Sequence, residues 1–426
     1  VGGLLVDVGH EVRQLGDAVA DEGRGQGDEA LGVLGEPQPL RSRGEEQTAQ
    51  EPPRGDADRH AAITRSLLGY GVLAGPFYVV VGLAQALTRD GFDLALKLAG
   101  DKARDITVVT EDDQQKPDVA VQIADKMIQQ DGVDLLTGIV WSNLAMAVVP
   151  AAVQQGKFYV STNAAPSALA GAQCNKDYFA VSYQNDNFHE AAGQAATDAG
   201  YKKVFVMAPN YPAGKDSLSG FKRFYKGELA GEVYTQVGQT DYAGEIAQIR
   251  DSGADAVFFF LPGGMGISFM KQYATSGVKT PLIGPAFSFD QDILPAVGDA
   301  ALGVKNTASW SPDLDNEANK TFVAEFQKAY NRLPSVYAAQ GYDTANLILS
   351  AAAKAEVSDH DAFRTALKAA EFPSVRGKFS FGPNQHPIQD LYVREVIKND
   401  QGVLTNKIVG TALTDHADAY AAECKM

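Results

Sequence analysis

Residues 105–143 read DITVVTEDDQQKPDVAVQIADKMIQQDGVDLLTGIVWSN. Ile106 to Thr110 is a β-branched run that ends in acids. From Lys116, apolar residues recur at helical spacing until Gly132 stops them, and VDLLTGIV is again apolar and strand-like. SNLAMAVVPAAVQQG predicts the next helix, with Ser142 or Asn143 as N-cap, and KFYVSTNAA the next strand. The second half repeats the scheme through YKKVFVMAPN, GKDSLSGFKRFYKGEL, GEVYTQVG, AGEIAQIRDSG, ADAVFFFLPGG, ISFMKQYATSG and KTPLIGPA. Strands alternating with helices imply βαβ units and parallel sheets, and unbroken apolar strands imply sheets covered on both faces. Residues 70–184 and 187–310 therefore read as two α/β lobes. NKTFVAEFQKAYN and SVYAAQGYDTANLILSAAAKA are helical stretches that complete the first.

The 426 residues, 45% hydrophobic, suffice for two cores, since single cores stop growing near ~250–300 residues. A net charge of −16 repels phosphate backbones and argues against nucleic acid as a partner. Cys174 and Cys424 lack any metal-ligand spacing, so no zinc site is expected; from spacing alone they are one disulfide or two unrelated buried thiols.

Residues 1–62 are rich in Gly, Glu, Asp, Arg and Gln, with few aromatics and no sustained apolar period. They are expected to be disordered or a non-native extension. From Arg65 to Ala86 three readings stand: a secretory signal peptide, a membrane span, or a strand at Tyr70–Ala74 followed by a Gly75-Pro76 turn and a helix.

Ligands of open parallel sheets bind beyond the carboxyl ends of the strands. After VDLLTGIV come Trp141, Ser142 and Asn143, and after KFYV come Ser161, Thr162, Asn163, Ala164 and Ala165. Tyr211 follows VFVMAPN, Gly263 follows VFFFL, Ala286 and Phe287 follow LIGP, and Trp310 ends NTASW. These are hydroxyls, amides, small residues and rings, a set that grips a small solute and carries no acid/base pair. No nucleophile elbow, phosphate loop or H-E-x-x-H is present, and Gly263-Gly264-Met265-Gly266 reads as a tight strand–helix turn. No cofactor is expected. His189 reads as a surface or hinge residue, and Glu111-Asp112-Asp113 as solvated loop acids.

The series DGFDLALKLAG, EDDQQKPDVAVQIADKMIQQDGVDLLTGIVWSN, FYVSTNAAPSALAG, APNYPAGKD, DAVFFFLPGGMG and GKFSFGPNQHPIQDLYVREV resembles the branched-chain amino acid (leucine/isoleucine/valine) binding-protein family. The resemblance covers about residues 88–426 and implies a periplasmic or extracytoplasmic receptor of an ABC importer that needs no cofactor, is monomeric and docks to a membrane permease. It implies the type I periplasmic-binding fold, two doubly wound parallel-sheet lobes with hinge crossings near 184, 310 and 387. Lobe 1 would then be 63–184 and 311–386, and lobe 2 would be 185–310 and 387–426. It further implies ligand contacts at Ser142, at Asn163-Ala164-Ala165 and at Tyr211, and a Cys174–Cys424 disulfide.

Two departures bear on the ligand. Amino-acid binders of the family place an acid after the Gly-Pro of the LIGP strand, to hold the ammonium, but here Ala286 and Phe287 follow Gly284-Pro285. An ammonium without a carboxylate partner is costly to desolvate. The resemblance therefore implies a small organic acid, with Trp141, Tyr211, Phe287 and Trp310 suited to an aromatic one, as much as an amino acid. The hydroxyl that precedes Gly-Pro in the family's first loop is also missing before Gly75-Pro76. The same fold serving as a ligand-sensing receptor or regulator is the alternative function.

Overall fold

A computed structural model describes residues 77–82 and 86–426. The first sheet contains β1 (Phe77–Gly82), β2 (Ile106–Glu111), β3 (Leu135–Thr137), β4 (Phe158–Ser161) and β5 (Tyr178–Ala180), ordered β2-β1-β3-β4-β5 and parallel throughout. Between them run α1 (Ala86–Ala99), α2 (Pro117–Gln129), α3 (Ser142–Gln154) and the single turn α4 (Ser167–Ala170). The chain then enters α5 (Asn187–Asp198) and builds the second sheet from β6 (Lys203–Pro209), β7 (Glu228–Thr235), β8 (Ala256–Phe259), β9 (Leu282–Pro285) and β10 (Lys305–Ala308). These are ordered β7-β6-β8-β9-β10 and also parallel, the same winding as the first sheet. Their connections include α6 (Pro212–Phe224), α7 (Ala243–Asp251), α8 (Gly264–Thr275) and α9 (Leu294–Val297).

From β10 the chain returns through α10 (Glu317–Tyr330), α11 (Val336–Ala352) and α12 (His360–Ala369). It crosses once more into β11 (Ser380–Phe381), β12 (Pro387–Lys398) and β13 (Leu404–His416), which extend the second sheet antiparallel. Two doubly wound lobes joined by three crossings are thus the observed fold, and the apolar strands are buried as their composition requires: β4, β5 and β8 are buried at every position.

Helices α1 and α11 meet at a glycine on each. A Cβ on Gly91 would lie 1.8 Å from the Ala338 carbonyl oxygen, and one on Gly341 would lie 1.9 Å from that of Thr88. Only a bare backbone fits either position.

Arg376, on the last crossing, clamps the first. Its Nη1 donates to the carbonyls of Val181 (2.7 Å) and Ser182 (2.8 Å) and to Gln389 Oε1 (2.8 Å), while its Nε donates to Asp343 Oδ2 (2.9 Å). Asp343 also accepts from Ser374 Oγ (2.6 Å) and the Val375 amide (3.0 Å). At the middle crossing Arg394 donates to Asn306 Oδ1 and to the Trp310 carbonyl.

The disulfide expected from the resemblance is present: Cys174 and Cys424 are bonded, with Cα atoms 5.6 Å apart across a sequence separation of 250. It ties the tail beyond β13 to the loop after α4, in the first lobe. On the way, Tyr420 OH donates to Asp186 Oδ2 (2.9 Å) and accepts from Arg223 (3.1 Å).

Several expectations are corrected. The first described strand is Phe77–Gly82, where a turn and helix were expected, while Tyr70–Ala74 and the extension 1–62 lie outside the described residues. A continuous membrane helix over 65–86 is incompatible with that strand, and no described helix is long and apolar enough to cross a membrane. Asp113 is buried, its Oδ1 turned back to the Gln115 amide, so it is no solvated acid. His189 is buried too, its ring edge-on to Phe258 and Phe260; burial lowers its pKa to about 3 and keeps the imidazole neutral. Neither Ser142 nor Asn143 caps α3: Trp141 occupies the cap position and Ser142 is the first helical residue.

Candidate functional site

In both sheets the winding reverses beside the first strand of the lobe, between β1 and β3 and between β6 and β8. The loops leaving those strands are where such folds place ligands. Trp141 leaves β3 and Tyr211 leaves β6, and their rings meet across the lobes at 5.6 Å between centroids. Tyr211 stacks on Phe260 at 6.4 Å and 18°, and Phe260 lies 6.0 Å from Phe287. Phe287, in the turn after β9, contacts Tyr183 (5.5 Å), Phe188 (5.5 Å) and Tyr337 (5.6 Å). This chain of rings joins Trp141 and Tyr337 of the first lobe to Tyr211, Phe260 and Phe287 of the second. The centroid spacings are those at which aromatic pairs attract.

Burial holds the phenols of Tyr183, Tyr211 and Tyr337 well above their ordinary pKa. The neighbouring phenols add to this for Tyr183, as does the nearby Asp216 carboxylate for Tyr183 and Tyr211. All three are therefore neutral O–H groups in a region of low polarity.

The first-lobe wall adds polar groups. Thr162 is fully buried, and its Oγ1 has no hydrogen-bond partner among the described residues; the same is true of Trp141 Nε1 and Gln340 Nε2. Unpaired donors and hydroxyls in a protein interior are costly, and a ligand acceptor is one way to satisfy them. Asn163 Nδ2 donates to Gln340 Oε1 (2.7 Å), and Asn163 O accepts from Ser182 Oγ (3.0 Å). The Ala164 carbonyl accepts from Ser161 Oγ (2.6 Å). Asn185 Nδ2 donates to Ser142 Oγ (3.0 Å), and Asn185 Oδ1 accepts the Ala165 amide (3.1 Å).

Of the residues expected at the site, Trp141, Tyr211 and Phe287 join one ring cluster, while Ser142, Asn163 and Ala165 are linked to the polar wall. Asn143 sits half-buried one position further along α3. Gly263 takes a left-handed φ of 62° at the start of α8, which fits a tight turn. Trp310 is not brought to the cluster. It is buried against Phe322, with its Nε1 donating to Asn319 Oδ1 (2.6 Å), because the chain turns into the middle crossing there. Ala286, which follows Gly284-Pro285, is buried and apolar.

Reasoning from strand ends missed Tyr183, Phe260, Tyr337 and Gln340. Tyr337 and Gln340 share one face of α11 by their spacing of three. SVYAAQGYD carries that spacing, but within a helix whose apolar length points only to lobe packing.

Residues 75–401 match the family of periplasmic binding proteins. A Leu/Ile/Val-binding protein homolog 6 from Brucella melitensis is 31% identical over 357 residues, covering 79% of this chain and 90% of that protein. A solute-binding protein of an ABC transporter from R. palustris, solved with benzoate, superposes with a TM-score of 0.77 at 30% identity, covering 83% of this chain and all of that one (100%). Another from R. palustris, solved with 4-hydroxybenzoate, gives 0.72 at 28% identity, covering 79% and 96%. The chain belongs to the periplasmic binding protein family. Within it, the chain falls among the solute-binding proteins of ABC transporters.

Proposed function

We propose that the cleft captures a small aromatic carboxylic acid of the benzoate type and presents it, outside the cytoplasm, to a membrane permease. The single observation that carries this is the ring-lined interlobe cluster with unpaired polar groups on its wall and Ala286-Phe287 in place of an acid. An aromatic ring would sit among Trp141, Tyr211 and Phe287, and its carboxylate would take hydrogen bonds from neutral donors such as Thr162 Oγ1 and the phenols. An amino acid would also bring an ammonium, whose desolvation needs a carboxylate. Of the carboxylates near the phenols, Asp216 already accepts three hydrogen bonds, and Asp290, near Tyr337 with Asp292, is paired with Arg394.

Among the described residues, the first lobe is assigned 77–82, 86–184 and 311–379, and the second 185–310 and 380–426, the last boundary falling before β11 and not at 387, with the disulfide returning the tail to the first. Closure of these lobes around the solute is the working motion, and binding is the whole of the chemistry. The protein acts as a monomer.

A thermal-shift panel of benzoate, 4-hydroxybenzoate, leucine, valine and a dicarboxylate tests the reading. Ligands that bind only the folded state raise the melting temperature by linkage. Benzoates are expected to raise it and leucine not; a shift with leucine or valine alone overturns the aromatic-acid assignment.

A further inference from the structure

Two carboxylates of the second lobe end on backbone amides of the first. Asp216 belongs to α6, yet it accepts from the Ser167 amide (3.0 Å) and from Ser167 Oγ (2.7 Å), at the first residue of α4. Asn185 Nδ2 completes its shell at 3.0 Å, and the same amide group reaches Ser142 Oγ. Asp290, after β9, accepts from the Val336 amide at the start of α11, next to Tyr337, and is paired with Arg394 at 3.2 Å. Asp216 is 7% exposed and Asp290 1% exposed, so both are sequestered while the lobes meet. The two contacts flank the ring cluster: the first is linked to Ser142 beside Trp141, the second adjoins Tyr337.

We propose that Asp216 is a closure latch, a positioning residue that holds the lobes together over the solute by accepting both donors of Ser167. Opening the lobes separates α6 from α4 and breaks these bonds, leaving the carboxylate to water. Charge-assisted hydrogen bonds are among the stronger ones in proteins, so their loss favours the open arrangement. Asn185 couples the latch to the ligand wall, because its one amide group touches both Asp216 and Ser142. Asp290 supplies the matching contact at α11, but its pairing with Arg394 also serves the second lobe itself, so the latch is better tested at Asp216. The inference rests on the cleft being the solute site, and its test is chosen to separate the two.

Spin labels on Lys102→Cys and Asp251→Cys, one exposed position per lobe, report the interlobe distance by pulsed EPR. In ligand-free protein, Asp216→Asn and Ser167→Ala should each shift the distribution toward the open distance, and the double variant should shift it no further than the larger single one. With the solute found by thermal shift, each variant should speed release about tenfold and leave association unchanged. Lys222→Ala, whose ion pair with Glu232 lies within the second lobe, should do neither. An unchanged ligand-free distribution in both variants overturns the latch whatever the protein binds. A shifted distribution in a protein that binds no tested solute leaves the latch standing and overturns the functional reading instead.

Discussion

Replacing Arg376 by Met removes the clamp between the last and first crossings while keeping most of the side-chain volume. The Asp343 carboxylate, 0% exposed, keeps Ser374 Oγ and the Val375 amide but loses its cation, and Gln389 Oε1 loses the Arg376 donor. The Val181 carbonyl loses the same donor, whereas that of Ser182 still accepts from Gln389 Nε2. Breaking a buried pair from one side costs about 3–5 kcal/mol, because the remaining charge is left uncompensated. At about 2.1 cal/mol/K per residue, roughly 350 described residues give ~0.7 kcal/mol/K, so a ~4 kcal/mol loss lowers the melting midpoint by about 5–6 °C. Differential scanning calorimetry reads this directly. The double variant Arg376→Met/Asp343→Leu removes the stranded charge and should recover part of the loss. A midpoint within about 1 °C of the parent for Arg376→Met, or a double variant worse than the single by a further full increment, refutes the reasoning.

Replacing both Cys174 and Cys424 by Ala frees a 250-residue loop in the unfolded chain, which the chain-entropy model equates with ~5 kcal/mol and a midpoint about 7 °C lower; a shift under ~2 °C counts against a restraining bond. Tyr211→Ala should weaken benzoate binding by at least about tenfold, as expected for a stacked ring worth over ~1 kcal/mol, and calorimetric titration checks it. Trp310→Phe should leave that affinity unchanged but cost about 1–3 kcal/mol of stability, since it orphans Asn319 Oδ1. For His189, the folded-state pKa of about 3 lies below the ordinary 6.5, so its contribution is present above pH 6.5 and is lost as pH falls from there toward 3. His189→Gln should therefore make the stability–pH slope in that window shallower by about one proton; an unchanged slope measured by urea unfolding would contradict the buried, neutral imidazole.

The parallel strands were legible because each is a short, mostly apolar or β-branched run, as in β2, β4, β6 and β8. β12 was not. Its burial alternates along much of its length, but the inward positions include Gln389 and Arg394, which serve the crossings, so polar residues fall where an apolar period should show. β1 was not legible either, because the run after Gly75-Pro76 reads as the entry to a helix. Strand ends led to Trp141, Tyr211 and Phe287, which the structure brings into one ring cluster. They could not find Tyr337 or Gln340, which lie on a helix about 200 residues downstream of the wall they complete. Trp310, also at a strand end, begins a crossing and packs on Phe322 away from the ring cluster.

The meeting of Gly91 and Gly341 has a consequence for the order in which the chain can fold. Two backbones in contact tolerate no placeholder, so α1 has its proper seat only after α11 has been synthesised, some 240 residues later. β12 and β13 come later still, and the second sheet lacks them until almost the whole chain is available. The first lobe thus completes its packing only once α11 is available, and the second its sheet only once β13 is. Long-range closures of this kind make folding slow, which leaves a lengthy interval in which the chain is still loose enough to be threaded elsewhere.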